Sequence, residues 1–148
     1  MAWRAATEDD LLASISNAEL EAYRAAVTKP GQTDPVTRKL ADVTNMVRGY
    51  IAANADNVLG LDGTLPDKLI GPAMDYLAVD VIKRIPRREV SQERSDARKA
   101  AIRLFRDVAD DKFAIEEPEE PTDEQHGAPS PSFEGRDRVF KRTDQDGI

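Results

Sequence analysis

The apolar and polar residues of this chain are arranged at the spacing typical of amphipathic helices. The clearest stretch follows Asp34 and Pro35, which suit the N-cap and the first helical position. Its apolar residues fall within one stripe about 100° wide: Val36, Leu40, Val43, Val47, Tyr50 and Ile51. We therefore predict a helix from Pro35 to about Ala53. The polar residues outside its stripe are Arg38, Asp42, Asn45 and Arg48.

Two shorter helices are predicted before it from a repeated start signal. Thr7 with Asp10, and Ser16 with Glu19, have the spacing of a capping box. In this motif the hydroxyl accepts from the N–H three residues on, and the carboxylate reaches back to the N-cap N–H. We expect a tight helical hairpin whose second helix ends near Val27.

A more apolar helix is predicted to begin at Pro66 and to end at Ile85, because Pro86 disfavours a helical residue before it. Its apolar residues cover a broad arc, so we expect it to be the central helix. They are Leu69, Ile70, Ala73, Met74, Leu77, Val81, Ile82 and Ile85. The preceding segment, residues 54–65, is predicted to be a loop because it contains Gly60 and Gly63.

The last helix should begin after Ser91 and run to about Phe113. Its predicted buried face consists of Ala97, Ala100, Ala101, Leu104, Phe105 and Val108. No alternating strand pattern is longer than a few residues, so the predicted class is all-α. We expect a compact bundle of about five helices, two short N-terminal ones and three longer ones, with an extended C-terminal arm.

The pattern changes near residue 113, which divides the chain into a helical domain, residues 1–113, and an arm, residues 114–148. The first part of the arm is rich in proline and acidic residues, and it has too few apolar residues to offset the entropy of ordering. Apolar residues return at the far end among basic ones. This candidate docking anchor consists of Phe133, Arg136, Arg138, Val139, Phe140, Lys141 and Arg142.

Charge and composition exclude several functional classes. The 148 residues carry a net charge of −7, of which −1 lies in residues 1–113 and −6 in residues 114–148. A sequence-reading DNA binder would have a basic footprint instead. The absence of cysteine excludes disulfides, thiolate zinc sites and a cysteine nucleophile. No apolar run approaches the ~18 residues of a membrane span, so no membrane partner is expected.

Residues for catalysis are also missing from the sequence. The one histidine, His126, lies in the arm without a fixed partner, and no Ser-His-Asp or Cys-His arrangement is present. No glycine-rich nucleotide-binding motif occurs either. We therefore expect neither an enzyme nor a bound cofactor or metal.

A basic cluster spans Lys83 to Arg106, with nine Lys and Arg residues against three acidic ones. It can be interpreted as a surface that contacts DNA phosphates, as a solvated face neutralised by intrahelical pairs with Glu93 and Asp96, or as a docking surface for an acidic partner. The candidate residues are Lys83, Arg84, Arg87, Arg88, Arg94 and Arg98.

Two single residues also have predicted roles. Asp80 lies at helical spacing near the apolar arc of the central helix, so we expect a buried structural carboxylate. A buried carboxylate needs a partner, such as Arg48 or Arg103. Trp3 precedes the first cap, and we expect it to cover a pair of helices.

Five stretches carry a resemblance to a known family: Ala6–Leu11, Glu19 with Leu20, Leu40–Ile51, Leu77–Arg84 and Arg94–Lys112. Their order and spacing resemble the small head–tail connector (adaptor) proteins of tailed bacteriophages and prophages, in particular the Mu-like prophage group. The loop 54–65 departs from the family pattern but keeps Leu65 and Pro66.

The resemblance implies a ring, often of twelve subunits, under the portal in the neck of the virion and assembled in the host cytoplasm. Such a ring extends the DNA channel and offers a platform to the next neck or tail-terminator protein. Its implied partners are copies of itself, the portal, that next protein and, non-specifically, the packaged DNA. The alternatives are a tail-terminator or tail-completion protein, which usually mixes strands with helices, and a small nucleic-acid-binding regulator.

Overall fold

A computed structural model describes residues 3–119 of the chain. Its elements in chain order are β1 (Trp3–Ala5), α1 (Glu8–Leu12), α2 (Asn17–Val27), α3 (Pro35–Ala53), β2 (Thr64–Pro66), α4 (Asp67–Lys83) and α5 (Gln92–Ala109). The predicted all-α class is confirmed: the described part is a compact helical fold of five helices with one very small sheet.

Helix α4 is the centre of the fold, as its broad apolar arc predicted. It packs against each of the other four helices and against β2. All eight apolar residues of the predicted arc are buried. Full burial of a large apolar side chain contributes about 1.5–3 kcal/mol, so α4 is the main source of the burial energy that holds the other helices together.

Four of the five helix starts agree with the predicted signals, whereas the ends of α4 and α5 come earlier than predicted. Both capping boxes form, and Asp34 caps α3 by accepting from the N–H of Val36. Helix α4 begins one residue later than predicted, because Pro66 belongs to β2. Helix α5 ends at Ala109 rather than near Phe113, since Asp111 has a left-handed φ of 60°. Ala100, predicted to be buried, is exposed.

The small sheet was not predicted. Strands β1 and β2 pair antiparallel, with Trp3 opposite Pro66 and Ala5 opposite Thr64. Three residues per strand are too few to produce a recognisable alternation in the sequence. The pairing fixes the N-terminus of the described chain beside the start of α4.

Trp3 joins the loop, α3 and the base of the arm. Its side chain is buried, and its indole Nε1 donates to the carbonyl of Glu116 at 2.7 Å. Gly60 lies directly against the ring, and the guanidinium of Arg48 in α3 lies 6.0 Å from the ring centroid. A Cβ added at Gly60 would come within 2.7 Å of the ring, so this contact requires glycine.

We expect Gly60→Ala to destabilise the protein by about 1–3 kcal/mol, the usual effect of overpacking. Urea denaturation followed by circular dichroism measures this change. The matched control is Gly71→Ala in α4, where an added Cβ meets no atom within 4 Å. That variant should be neutral or stabilised, since alanine favours helix over glycine by about 1 kcal/mol. Equal effects of the two substitutions would contradict the close contact with Trp3.

Candidate functional site

The candidate sites that the structure describes are surfaces. Within residues 3–119, no group of three or more His, Cys, Asp or Glu residues is placed to hold a metal ion. Over the same residues, no helix combines the length and apolarity needed to cross a membrane. Three surface features carry candidate binding residues: the basic residues after α4, the loop before β2, and the base of the arm.

The basic residues predicted for one surface divide into two sets. The intrahelical interpretation expected Arg94 and Arg98 to pair with acidic residues of α5. Both instead form ion pairs with residues of other helices. Arg94 donates to both carboxylate oxygens of Glu19, at 3.0 and 2.9 Å. Arg98 donates to Asp80 at 2.7 Å. Arg88 lies 3.7 Å from Glu19 and stays half exposed. Three of the six candidates therefore lie in ion pairs, and two of them, Arg94 and Arg98, are largely occupied in holding helices together.

The remaining three basic candidates are Lys83, Arg84 and Arg87, which we call the basic turn. They are exposed at the end of α4 and in the residues that follow, and none forms an ion pair with another residue in the range 3–119. Arg87 has a φ of 62°, which is uncommon for a non-glycine residue. Arg84 also lines an open cleft together with Arg38. Among the six candidate residues, the basic turn is thus the set that is free to meet a phosphate or an acidic partner.

Asp80 is half-buried rather than fully buried, with 32% of its side chain exposed. Its partner is Arg98. The two arginines suggested from the sequence, Arg48 and Arg103, are not its partners. The Arg98 guanidinium also lies 4.2 Å from the ring centroid of Tyr76, within the range of a cation–π contact. The position of Asp80 therefore serves the packing of α4 against α5.

Glu19 has a second role that sequence reasoning did not find. It completes the capping box of α2, since its carboxylate accepts from the N–H of Ser16 at 2.9 Å. Its side chain is only 9% exposed, and it accepts two hydrogen bonds from Arg94 of α5. The Arg94 guanidinium is the main reason that the pKa of Glu19 falls to about 2. The pair joins residues 75 positions apart, so no local pattern could have indicated it.

The same arrangement recurs at the starts of α1 and α3. Asp10, in the capping box of α1, accepts two hydrogen bonds of 2.8 Å from Arg4 of β1. This guanidinium holds the pKa of Asp10 well below its usual range. Asp34, the N-cap of α3, accepts from Arg24 of α2, which lowers its pKa. At three helix starts, a capping carboxylate thus binds an arginine from another element.

Arg48 holds the loop between α3 and β2. Its side chain, predicted to lie outside the buried stripe, is only 11% exposed. Its guanidinium donates to the carbonyls of Gly60, Leu61 and Thr64 at 3.0, 2.9 and 2.8 Å. These bonds fix the backbone of the loop from beneath. The predicted loop, residues 54–65, therefore has a defined backbone conformation. Its last two residues, Thr64 and Leu65, belong to β2.

The outer side of this loop carries three exposed apolar residues, Val58, Leu59 and Leu61, which we call the loop patch. Their exposures are 63%, 40% and 70%, and they are the large apolar residues that stand out as exposed within residues 3–119. Sequence reasoning assigned the segment to a loop and gave no role to its apolar residues. Three large apolar residues within the four positions 58–61 of a turn-rich segment were the available signal.

The base of the arm lies on the domain. Phe113 and Ile115 pack against the core, and Glu116 is bound through its carbonyl by Trp3. Lys68 lies 3.9 Å from the Glu116 carboxylate. The predicted docking anchor lies outside the described residues: Phe133, Arg136, Arg138, Val139, Phe140, Lys141 and Arg142. His126 lies outside them as well.

A protein-family model described as "Bacteriophage Mu, Gp36" matches residues 6–131. The match covers most of the chain, including all five helices. The chain belongs to the bacteriophage Mu Gp36 family. No curated protein and no solved structure matches it significantly. Membership of the Gp36 family confirms the Mu-like phage relationship expected from the sequence, and the basic-aromatic end of the chain lies beyond the residues matched.

We expect Glu19→Gln to reduce stability most at neutral pH. The folded pKa of about 2 lies below the usual 4.5, so the ionised carboxylate stabilises the fold above about pH 5. This contribution, on the order of 3 kcal/mol, is lost as the pH falls towards 2. Urea denaturation at pH 7 and pH 3 should therefore give a difference between variant and parent that shrinks by half or more at pH 3.

The control for this experiment is Glu89→Gln, an exposed residue in the segment before α5. It should change stability by less than about 0.5 kcal/mol at either pH, as exposed substitutions usually do. A loss in Glu19→Gln that is equal at both pH values would mean that the ionised pair with Arg94 is not its cause.

Proposed function

We propose that this protein is a structural component of the virion of a Mu-like tailed phage or prophage, namely a head–tail connector. In this proposal, subunits form a closed ring, of twelve copies, below the portal. The ring extends the DNA channel and gives the next neck or tail-terminator protein a surface to bind. The protein acts by binding alone, without catalysis or a cofactor, and it joins the virion after assembly in the host cytoplasm.

The observation that carries this proposal is that the chain belongs to a phage Mu family. The same chain joins a helical domain, held together by ion pairs between its helices, to a long arm. The arm leaves the domain at a defined point, because Trp3 binds the carbonyl of Glu116. An arm fixed at its base and ending in an anchor adds avidity to a neighbouring contact by raising its effective concentration. One heterologous contact, repeated from subunit to subunit, closes into a ring when its rotation closes.

The helical fold favours a connector over a tail-terminator protein. Tail terminators usually mix strands with helices, whereas residues 3–119 contain only two strands of three residues each. The regulator alternative depends on free basic residues, and the pairing of Arg94 and Arg98 reduces their number. The connector is therefore the function that these observations support best.

Reconstitution with the portal protein of the same phage genome tests the proposal. The purified full chain, mixed with portal, should give closed rings bound to the portal in negative-stain images. Deleting residues 133–148 should weaken this attachment at least tenfold while leaving the helical circular dichroism unchanged, because the anchor is lost and the core is not. The control is a deletion of residues 143–148, which keeps the anchor. A parent chain that forms no ring and binds no portal would overturn the connector role.

The basic turn gives the proposal a second test, since a channel protein meets DNA through phosphates without reading bases. Changing Lys83, Arg84 and Arg87 together to alanine should weaken duplex DNA binding and reduce the salt slope by up to about three. Fluorescence anisotropy at several salt concentrations measures both. The matched control with the same loss of charge is Lys29→Ala with Lys68→Ala and Lys112→Ala, three exposed residues outside the Lys83–Arg106 cluster. Equal losses would assign the binding to net charge alone.

A further inference from the structure

The loop patch is apolar, exposed and held in place. Arg48 donates to three loop carbonyls, and Gly60 packs against the buried Trp3. The loop backbone is thus pinned while Val58 and Leu61 remain more than 60% exposed. A cluster of exposed apolar residues with polar residues at its edge is typical of a surface that binds another protein segment.

Acidic side chains surround the loop patch. Asp56 and Asp62 flank it in sequence and are exposed. Asn54 at the base of the loop donates to Asp111 at 3.2 Å, which places a third carboxylate nearby. Within residues 3–119, the basic side chain that forms an ion pair with the loop is Arg48, whose guanidinium lies 3.5 Å from Asp62 and is mostly buried. The exposed rim therefore favours a partner that combines apolar and basic side chains.

The C-terminal segment Arg136–Arg142 has this composition. It contains four basic residues and one acidic residue, and it has Val139 and Phe140 at its centre. Its net charge of +3 complements the carboxylates of the loop, and its two apolar residues complement the loop patch. The rest of the arm is acidic, with a net charge of −6 over residues 114–148 even when this segment is included. Within the arm, this segment thus has the apolar and basic composition that complements the loop patch and its acidic rim.

The length of the arm favours a second copy as the source of that segment. Sixteen residues separate Glu119, the last described residue, from Arg136. Their prolines and repelling acidic residues favour an extended chain, which spans about 50 Å at ~3.1 Å per residue. A domain of this size has a radius of gyration of only about 13 Å. An arm in that conformation would be long enough for its end to reach a neighbouring copy.

We propose that the loop patch is the binding site for the Arg136–Arg142 segment of a second copy of this chain. Val139 and Phe140 would cover Val58 and Leu61, while the arginines pair with the carboxylates at the rim. This inference rests on the proposed ring, and it names the surface that receives the arm there. The contact joins two different surfaces, so it can repeat from subunit to subunit.

Two variants of the full chain test the inference. Val58→Ser with Leu61→Ser removes the patch, and Val139→Ser with Phe140→Ser removes the segment. Each variant alone should self-associate at least tenfold more weakly than the parent in sedimentation velocity. An equimolar mixture should regain a one-to-one complex, because one variant supplies an intact patch and the other an intact segment. The control, Ala52→Ser with Ala53→Ser on the exposed face of α3, should associate like the parent.

A labelled peptide of residues 132–148 gives an independent readout. It should bind the segment variant, whose patch is unoccupied, and lose at least tenfold in affinity for the patch variant. Normal self-association by the patch variant, or equal peptide binding to both variants, would overturn the inference. A monomeric parent with a cross-link within one chain would assign the segment to its own domain and also overturn it.

The failure of this inference can be told apart from the failure of the connector role. A patch variant that still forms rings on the portal would refute the arm contact and leave the connector role intact. A parent that binds the peptide at the patch but forms no ring with portal would refute the connector role alone.

Discussion

The contact between Glu19 at the start of α2 and Arg94 of α5 ties together two helices that share little other packing. The same carboxylate caps its own helix and accepts two hydrogen bonds from a distant one. It also lies at the positive end of the α2 dipole, so three favourable interactions act on one charge. Removing Arg94 would leave a largely buried carboxylate with only the Ser16 N–H and the more distant Arg88 beside it. This is costlier than the loss of an exposed pair. The pair thus connects two distant parts of the sequence in a small domain that has few aromatic residues in its core.

The helices and the core could be predicted because both follow from local spacing. The stripe in α3 and the arc in α4 depend only on residues three or four apart. They identified most of the buried residues of these helices but missed Thr44, Ala78 and Val79. The ion pairs could not be predicted, because a capping box specifies its own helix and says nothing about which arginine approaches. Asp80 illustrates the limit: its need for a partner was clear, but the choice of Arg98 was set by tertiary packing.

The binding surfaces were harder to predict than the core for a related reason. The sequence shows how many basic residues the Lys83–Arg106 cluster contains, but not which of them are free to bind a partner. In the folded chain, Arg94 and Arg98 form ion pairs that hold helices together. Conversely, the loop between α3 and β2 has no periodicity, so its sequence does not indicate that Arg48 fixes the loop carbonyls and leaves Leu61 exposed. Exposure is a property of the folded chain, and a surface becomes visible only when the residues beneath it are known.

The position of Trp3 has an optical consequence. It is the one tryptophan of the chain, and its indole is buried between Gly60 and the backbone of Glu116. The intrinsic emission of the protein therefore comes from the junction of the N-terminal strand, the loop and the arm. Displacement of the arm base would admit water to the ring and move the emission to longer wavelength, so the protein contains its own fluorescent reporter of that junction, without any added dye.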